Sequence, residues 1–319
     1  MTARAPTAKP TVVAGKPEEE AGAGGKTYRM RRAPAVLAAL LLPLLVTACG
    51  GAQRSSALPT TTTATTTTGA TTATTTGTTP QPGTQTLRIY LLRGGTVTPV
   101  AREVPPTQAV ARAALTALVA GPTGSEQADG LSTDVPAEAR LRNVTVANGV
   151  ATVDFDAAFA RGAEATIARR LAQVVFTVTQ FPSVTSVRFE QDGAPLPTVV
   201  DGNGVPLQHP ASRADYEAIT PPILIESPLP GQTVSSPIDV RGSAIAFEAT
   251  FQTEVVDASG AVLGKQTVTA SEGAPARGSF SVTVPVQAQP GPVRLIAYED
   301  NQATGRRMHV VTVPLQLGP

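Results

Sequence analysis

The sequence has no tryptophan, one cysteine and two histidines, and draws only 4% of its residues from the aromatics. A single cysteine makes no internal disulfide, so an exported chain of this size gains no covalent staple, and Cys49 needs another explanation. His209 and His309 stand far apart with no cysteine near either. They read as ordinary loop and strand residues, not as zinc ligands or triad members. With so few rings, the cores must be built from Val, Leu, Ile and Ala, which favours strand-rich or mixed modules. Lysine is scarce, with Lys9, Lys16, Lys26 and Lys265 alone among 25 basic residues. Most of those lysines precede Cys49, and the remainder of the chain is mildly acidic. That balance excludes a phosphate-binding surface and makes nucleic acid a poor partner. The length of 319 residues allows about two domains.

Met30-Arg31-Arg32 begins a basic stretch, and Val36 to Ala48 follows as an almost wholly apolar run interrupted by Pro43. The run is too short for a bilayer span and has the basic-then-apolar order of a signal peptide over 30–48. It ends Val46-Thr47-Ala48-Cys49-Gly50, which resembles the bacterial lipobox. The resemblance implies cleavage between Ala48 and Cys49 and a lipid on Cys49. Each buried CH₂ contributes about 0.8 kcal/mol, so two or three acyl chains anchor a chain stably where one does not. The expected location is the outer face of the cytoplasmic membrane. Residues 1–29 are polar and carry Glu18, Glu19 and Glu20, which fits a start assigned too early or a disordered segment, with Met30 as the true start. The Arg31-Arg32 pair lacks the rest of a twin-arginine motif, so general secretion is the expected route.

Thr60 to Thr79 consists of Thr with a few Ala and Gly. Such a segment buries no core, so 49–85 reads as a disordered tether from the lipidated cysteine. Its root-mean-square reach is roughly 30–35 Å.

The pattern over 86–200 predicts an α+β module in the order β-α-β-β-α-β. Thr86 to Leu92 reads as a strand. Thr107 is expected to cap a helix through Val110, Ala114, Leu115 and Leu118 that Gly121-Pro122 stops. Asn148-Gly149 between two Val-rich runs predicts a type I′ hairpin. Ile167, Leu171, Val174, Val175 and Val178 lie at helical spacing before Pro182, and Val184 to Glu190 returns as a strand. These runs, with Leu131 to Pro136, Val153-Asp154-Phe155 and Gln173 to Thr177, resemble the GerMN domain of sporulation and germination proteins. The resemblance implies a layered fold similar to ring-building motifs, and a non-enzymatic role.

Residues 201–220 are polar and rich in Gly and Pro, and read as a linker. From 221 to 317 seven short β-patterned runs recur: 223–226, 238–243, 249–257, 261–269, 279–286, 292–299 and 307–316. Turn signals separate them, which predicts an all-β sandwich. Ser227-Pro228, Pro230-Gly231, Ser236-Pro237-Ile238, Val240-Arg241-Gly242, Phe247-Glu248-Ala249 and Gly278-Ser279-Phe280 resemble the immunoglobulin-like domain of bacterial spore germination.

No residues converge on a catalytic, cofactor or metal site. Asp154 and Asp156 share a face at a strand end and could bind calcium or serve acid/base work, although an Asp before a helix more often caps it. Asp201-Gly202-Asn203-Gly204 resembles part of a calcium loop, but Ser212 stands where the loop needs an acid, so a tight turn is expected. Glu299-Asp300-Asn301 reads as a solvated loop. The recurrence of Phe247-Glu248-Ala249 in the resembled family makes Phe247 and Glu248 a candidate contact surface; Glu248 could equally satisfy a backbone group. The expected function is a non-catalytic envelope lipoprotein that binds a protein partner or itself. The alternative is a wall enzyme using surface carboxylates.

Overall fold

The computed structural model describes residues 83–301 and 303–319, all within one compact unit. Ala48, Cys49, the leader and the Thr-rich tether lie outside the described residues. The fold is α+β, with a mixed first module and an all-β second module.

The first module opens with a hairpin of β1 (Gln85–Arg93) and β2 (Thr96–Val104), turned on Gly94 and Gly95, both at positive φ. The sequence pattern predicts no strand at β2, because Pro99, Arg102 and Glu103 break its alternation. β2 nevertheless pairs along its whole length with β1. It tolerates Pro99 because it is an edge strand: the sheet order is β2-β1-β3, with β3 at Leu131–Ser132.

Helix α1 (Val110–Val119) buries Ala114, Leu115 and Leu118, and Gly121 at φ +77° turns the chain out of it. Thr107 is not its cap. Ala109 holds that position, and the Thr107 hydroxyl accepts from the Ala109 N–H at 3.0 Å in the preceding turn. The short α2 (Gly124–Ala128) carries a capping box between Thr123 and Glu126.

β4 (Leu141–Ala147) and β5 (Val150–Phe155) form the expected hairpin, with Asn148 at φ +51° and Gly149 at φ +80°. Helix α3 (Glu164–Val178) then crosses to β6 (Ser186–Gln191), which runs parallel to β5 and pairs with β7 (Ala194–Pro195). The helix ends at Val178, ahead of Pro182.

Helix α3 does more than cover the sheet. β3 reaches only Leu92 and Arg93, which leaves the rest of that β1 edge without a strand. Side chains take its place. Thr177 Oγ1 accepts from the Tyr90 N–H at 3.1 Å, and Gln173 Nε2 donates to the Tyr90 carbonyl at 2.9 Å. Gln180 accepts from the Arg88 N–H at 3.1 Å and donates to the Arg88 carbonyl. Gln173 and Thr177 lie one turn apart on the helix, and Gln180 follows just past its C-cap Thr179. A polar stripe thus stands in for a strand and satisfies a backbone edge that no strand covers.

Residues 201–220 are not a free linker. Asp201 closes a tight turn by accepting from the Asn203 and Val205 N–H groups, both at 2.8 Å. A short 3₁₀ helix over Arg213–Ile219 follows, and Ala211, Tyr216 and Ile219 are buried in the first core. The Gly and Pro residues here shape turns within a packed layer rather than a loose connection.

In the second module, β8 (Ile223–Ser227), β10 (Ile238–Ala244) and β13 (Gly278–Val284) form one sheet in the order β13-β10-β8, with β9 (Thr233–Val234) between β8 and β10 in the chain. The facing sheet joins β9 to β11 (Thr250–Val256), β12 (Val262–Thr269), β14 (Gly291–Asp300) and β15 (Arg307–Leu317), in the order β12-β11-β14-β15-β9. The seven expected strands are present. β9 is the addition, a two-residue parallel pairing at the end of β15 too short to show as a pattern. Gly242 stands where β10 slips register against β8, and any Cβ there would run into the Leu224 carbonyl and the Phe280 ring.

Strand β8 serves both modules. Ile223 and Ile225 pack in the sandwich, while Leu224, pointing the other way, packs in the first core.

Candidate contact surface

Between β10 and β11 the chain turns through Phe247–Ala249. Glu248 at φ +51° and Ala249 at φ +59° are consecutive non-glycine residues in the left-handed region. Each such residue costs about 1–2 kcal/mol and persists only where its surroundings hold it. The hold is visible. The Ala249 N–H and the Ala274 N–H both donate to the Ala246 carbonyl, at 3.1 and 2.9 Å, and Ala246 is fully buried. The Phe247 N–H donates to Glu299 Oε2 at 3.1 Å. The turn thereby lifts the Phe247 ring into solvent, where it is 68% exposed.

Glu299 is not in a solvated loop. It is the penultimate residue of β14, only 7% exposed, and its second oxygen meets His309 Nδ1 at 2.6 Å. The acidic run Glu299-Asp300-Asn301 misled because a strand end alternates: Glu299 turns inward and Asp300 outward. Glu248 is exposed and takes no hydrogen bond among the described residues, so the backbone role falls to Glu299. Phe247, Glu248 and Asp300 line one shallow depression over Glu299.

The remaining candidates serve structure. Asp154 Oδ1 accepts from the Gly193 N–H at 3.1 Å, and Asp156 Oδ1 accepts from the Arg140 N–H at 3.1 Å. Asp156 does not cap α3, whose N-cap is Ala163. His209 lies 3.6 Å from Asp215, on the first module, apart from His309. Among the described residues, no group of three or more His, Cys, Asp or Glu stands at metal-binding spacing.

A second polar centre, which no sequence pattern indicated, lies at the joint between modules. Glu226 on β8 accepts from Arg213 Nη1 at 2.7 Å and from the Tyr90 hydroxyl, with Arg88 at 3.4 Å. The Arg213 guanidinium also lies 4.7 Å from the Phe176 ring centre and donates to Thr179 Oγ1 at 2.7 Å. Burial pushes the Glu226 carboxyl up, but Arg213, the Tyr90 hydroxyl and Arg88 together hold it below the usual carboxylate range. Burial, reinforced by Glu226, raises the Tyr90 phenol well above its ordinary value. Nearby, Arg277 grips Glu217 through two nitrogens, at 2.9 and 2.6 Å, and donates to the Pro221 carbonyl at 2.8 Å. These ion pairs link residues from 88 to 277, so no local motif announces them.

Comparison with known proteins accounts for both modules. Residues 88–197 match the family model Germane, described as sporulation and spore germination. Residues 222–306 match Gmad2, the immunoglobulin-like domain of bacterial spore germination. Among solved structures, the first GerMN domain of the sporulation protein GerM from Bacillus subtilis aligns at 25% identity over 41% of this chain and 98% of that one, with a TM-score of 0.35. The tandem GerMN domains of the same protein align at 16% identity over 65% of this chain and 63% of that one, with a TM-score of 0.36. A comparison with curated proteins gives no match.

Proposed function

Starting from a chain that carries a Germane domain followed by a Gmad2 domain, we propose that it is a non-catalytic binding module of the cell envelope. In this reading a lipid on Cys49 holds it at the outer face of the cytoplasmic membrane, and the Thr-rich tether lets the folded part reach a protein partner or a second copy. The observation that carries the reading is Phe247. A ring that stands 68% exposed on a turn of two left-handed residues is held out at a cost, and contact with another protein gives that cost a use.

Two experiments test it. Radioactive palmitate should label the wild-type chain in cells and leave Cys49→Ser unlabelled. Crosslinking in the envelope should trap a partner or a dimer, and Phe247→Ala should lose that product while keeping its thermal midpoint. Turnover of peptidoglycan fragments that disappears in Asp154→Asn would overturn the reading in favour of a wall enzyme.

A further inference from the structure

Strand β4 is the outer strand of its sheet, in the order β4-β5-β6-β7. The turn at Asn148-Gly149 makes Ala147 and Val150 a pair that exchanges both main-chain hydrogen bonds, and alternation makes Thr145 and Thr152 the next such pair. The main-chain groups of Val144 and Val146 therefore point away from β5. The far side of β5 agrees. The Phe155 carbonyl accepts from the Asp192 N–H, just past β6, so the even-numbered residues of β5 are the ones that face β4. Arg112 reaches the Arg142 carbonyl at 3.4 Å, upstream of this stretch. Among the described residues, no group takes the outward N–H or C=O of Val144 or Val146. The stretch is open: Thr145 and Ala147 are exposed, Val146 is 42% exposed and Val144 is half-buried.

This edge lacks the devices that keep sheets apart. Asn143 to Ala147 carries no charge and no proline. A groove of about 280 Å³ follows the same face, lined by Val144 and Val146 with Val110, Phe181 and Val184. We propose that β4 is a self-association edge: two copies of this chain pair their β4 strands antiparallel about a two-fold axis at Thr145, joining two four-stranded sheets into one. The free groups set the register. Val144 of each copy lies opposite Val146 of the other, and each such pair exchanges two hydrogen bonds, four in all. Val144 and Val146 project to one face, so the dimer gathers four valines into a strip beside both grooves. Arg142 falls opposite the turn residue Asn148 and is held by Asp192 of its own chain at 3.1 Å, so no like charges meet. A second copy is the occupant the edge complements, because an isologous contact matches itself and closes both edges at once.

The inference deepens the reading of the chain as a binding module by naming a second copy as one partner, and its test uses neither the anchor nor Phe247. Sedimentation of the full chain carrying Cys49→Ser, in mild detergent, should show a dimer whose fraction rises with concentration. Val146→Lys, at an exposed position, should weaken that dimer at least about tenfold and keep the thermal midpoint. Thr145→Cys in the same background should form a covalent dimer under oxidised glutathione. An unbonded antiparallel pair sets its Cα atoms about 4.5 Å apart, within disulfide reach. Thr152→Cys, one strand further in, should form none, since its two copies stand about 14 Å apart. If Val146→Lys misfolds, the two cysteine variants decide. A chain monomeric at every concentration, a dimer indifferent to Val146→Lys, equal disulfide formation at 145 and 152, or a dimer lost in Phe247→Ala would each overturn the inference. A dimer through β4 and a contact through Phe247 are separate products. Loss of palmitate labelling or of the Phe247 contact, with the β4 dimer intact, would overturn the reading above and leave this one standing.

Discussion

Arg213 of the first module reaches 2.7 Å from Glu226 of the second while its guanidinium lies against the Phe176 ring. The pair ties a residue of the first core's last layer to the strand that begins the sandwich. Removing the charge at Glu226 should therefore loosen the joint. Glu226→Gln is expected to cost about 2–3 kcal/mol at neutral pH, because Arg213 then stays partly buried without its counter-charge. The expected pH dependence has a definite sign. The folded carboxyl sits below its ordinary range, so its contribution is present above the unfolded value and fades as pH falls through the folded one. Urea titrations at pH 7 and pH 3 should show the gap between wild type and Glu226→Gln closing at the lower pH. A gap that stays constant would remove the pair from the account of the joint.

The stripe that replaces a strand on β1 makes a second prediction. Thr177→Val keeps the shape and removes the acceptor for the Tyr90 N–H, and Gln173→Leu strands the Tyr90 carbonyl. Both positions are fully buried. Each substitution should destabilise by about 1–3 kcal/mol although it makes the core more apolar. Denaturant midpoints that rise would refute the assignment.

Tyr216 offers the opposite case. Its hydroxyl is buried and has no hydrogen-bond partner among the described residues. Tyr216→Phe should leave stability unchanged or raise it by up to about 1 kcal/mol. A loss larger than that in a thermal melt would reveal a partner for the hydroxyl.

The left-handed turn gives a fourth test. Ala249→Gly should stabilise the chain by about 1 kcal/mol, since glycine adopts φ +59° without a clash. Phe247 would still project. Calorimetry of the two proteins side by side measures the difference directly.

Much of this architecture was legible beforehand. Asn148-Gly149 dictates its hairpin through two positive φ angles, and the seven longer sandwich strands follow from alternation between turns. What escaped notice shares one physical cause. β2 and the layer at 201–220 carry Pro, Gly and charged residues that usually mark loops, and here tertiary packing overrides that preference. Gln173, Thr177 and Glu299 are polar residues turned inward, and only the unpaired backbone they serve explains them. Of the candidate site, the exposure of Phe247 matched the motif that drew attention to it, whereas the role open to Glu248 belongs to Glu299. Gly94-Gly95 was the available signal for β2, a two-residue turn like Asn148-Gly149.

Strand β8 divides its three apolar side chains between two cores, and this bears on how the gene can be cut. A break at Pro221 hands Leu224 to the downstream half. The upstream fragment would keep a leucine-sized hole and an unmatched Arg213. The downstream fragment would carry a bare leucine and an orphaned Arg277. Neither half closes its own core, so the two modules are expected to unfold as one unit.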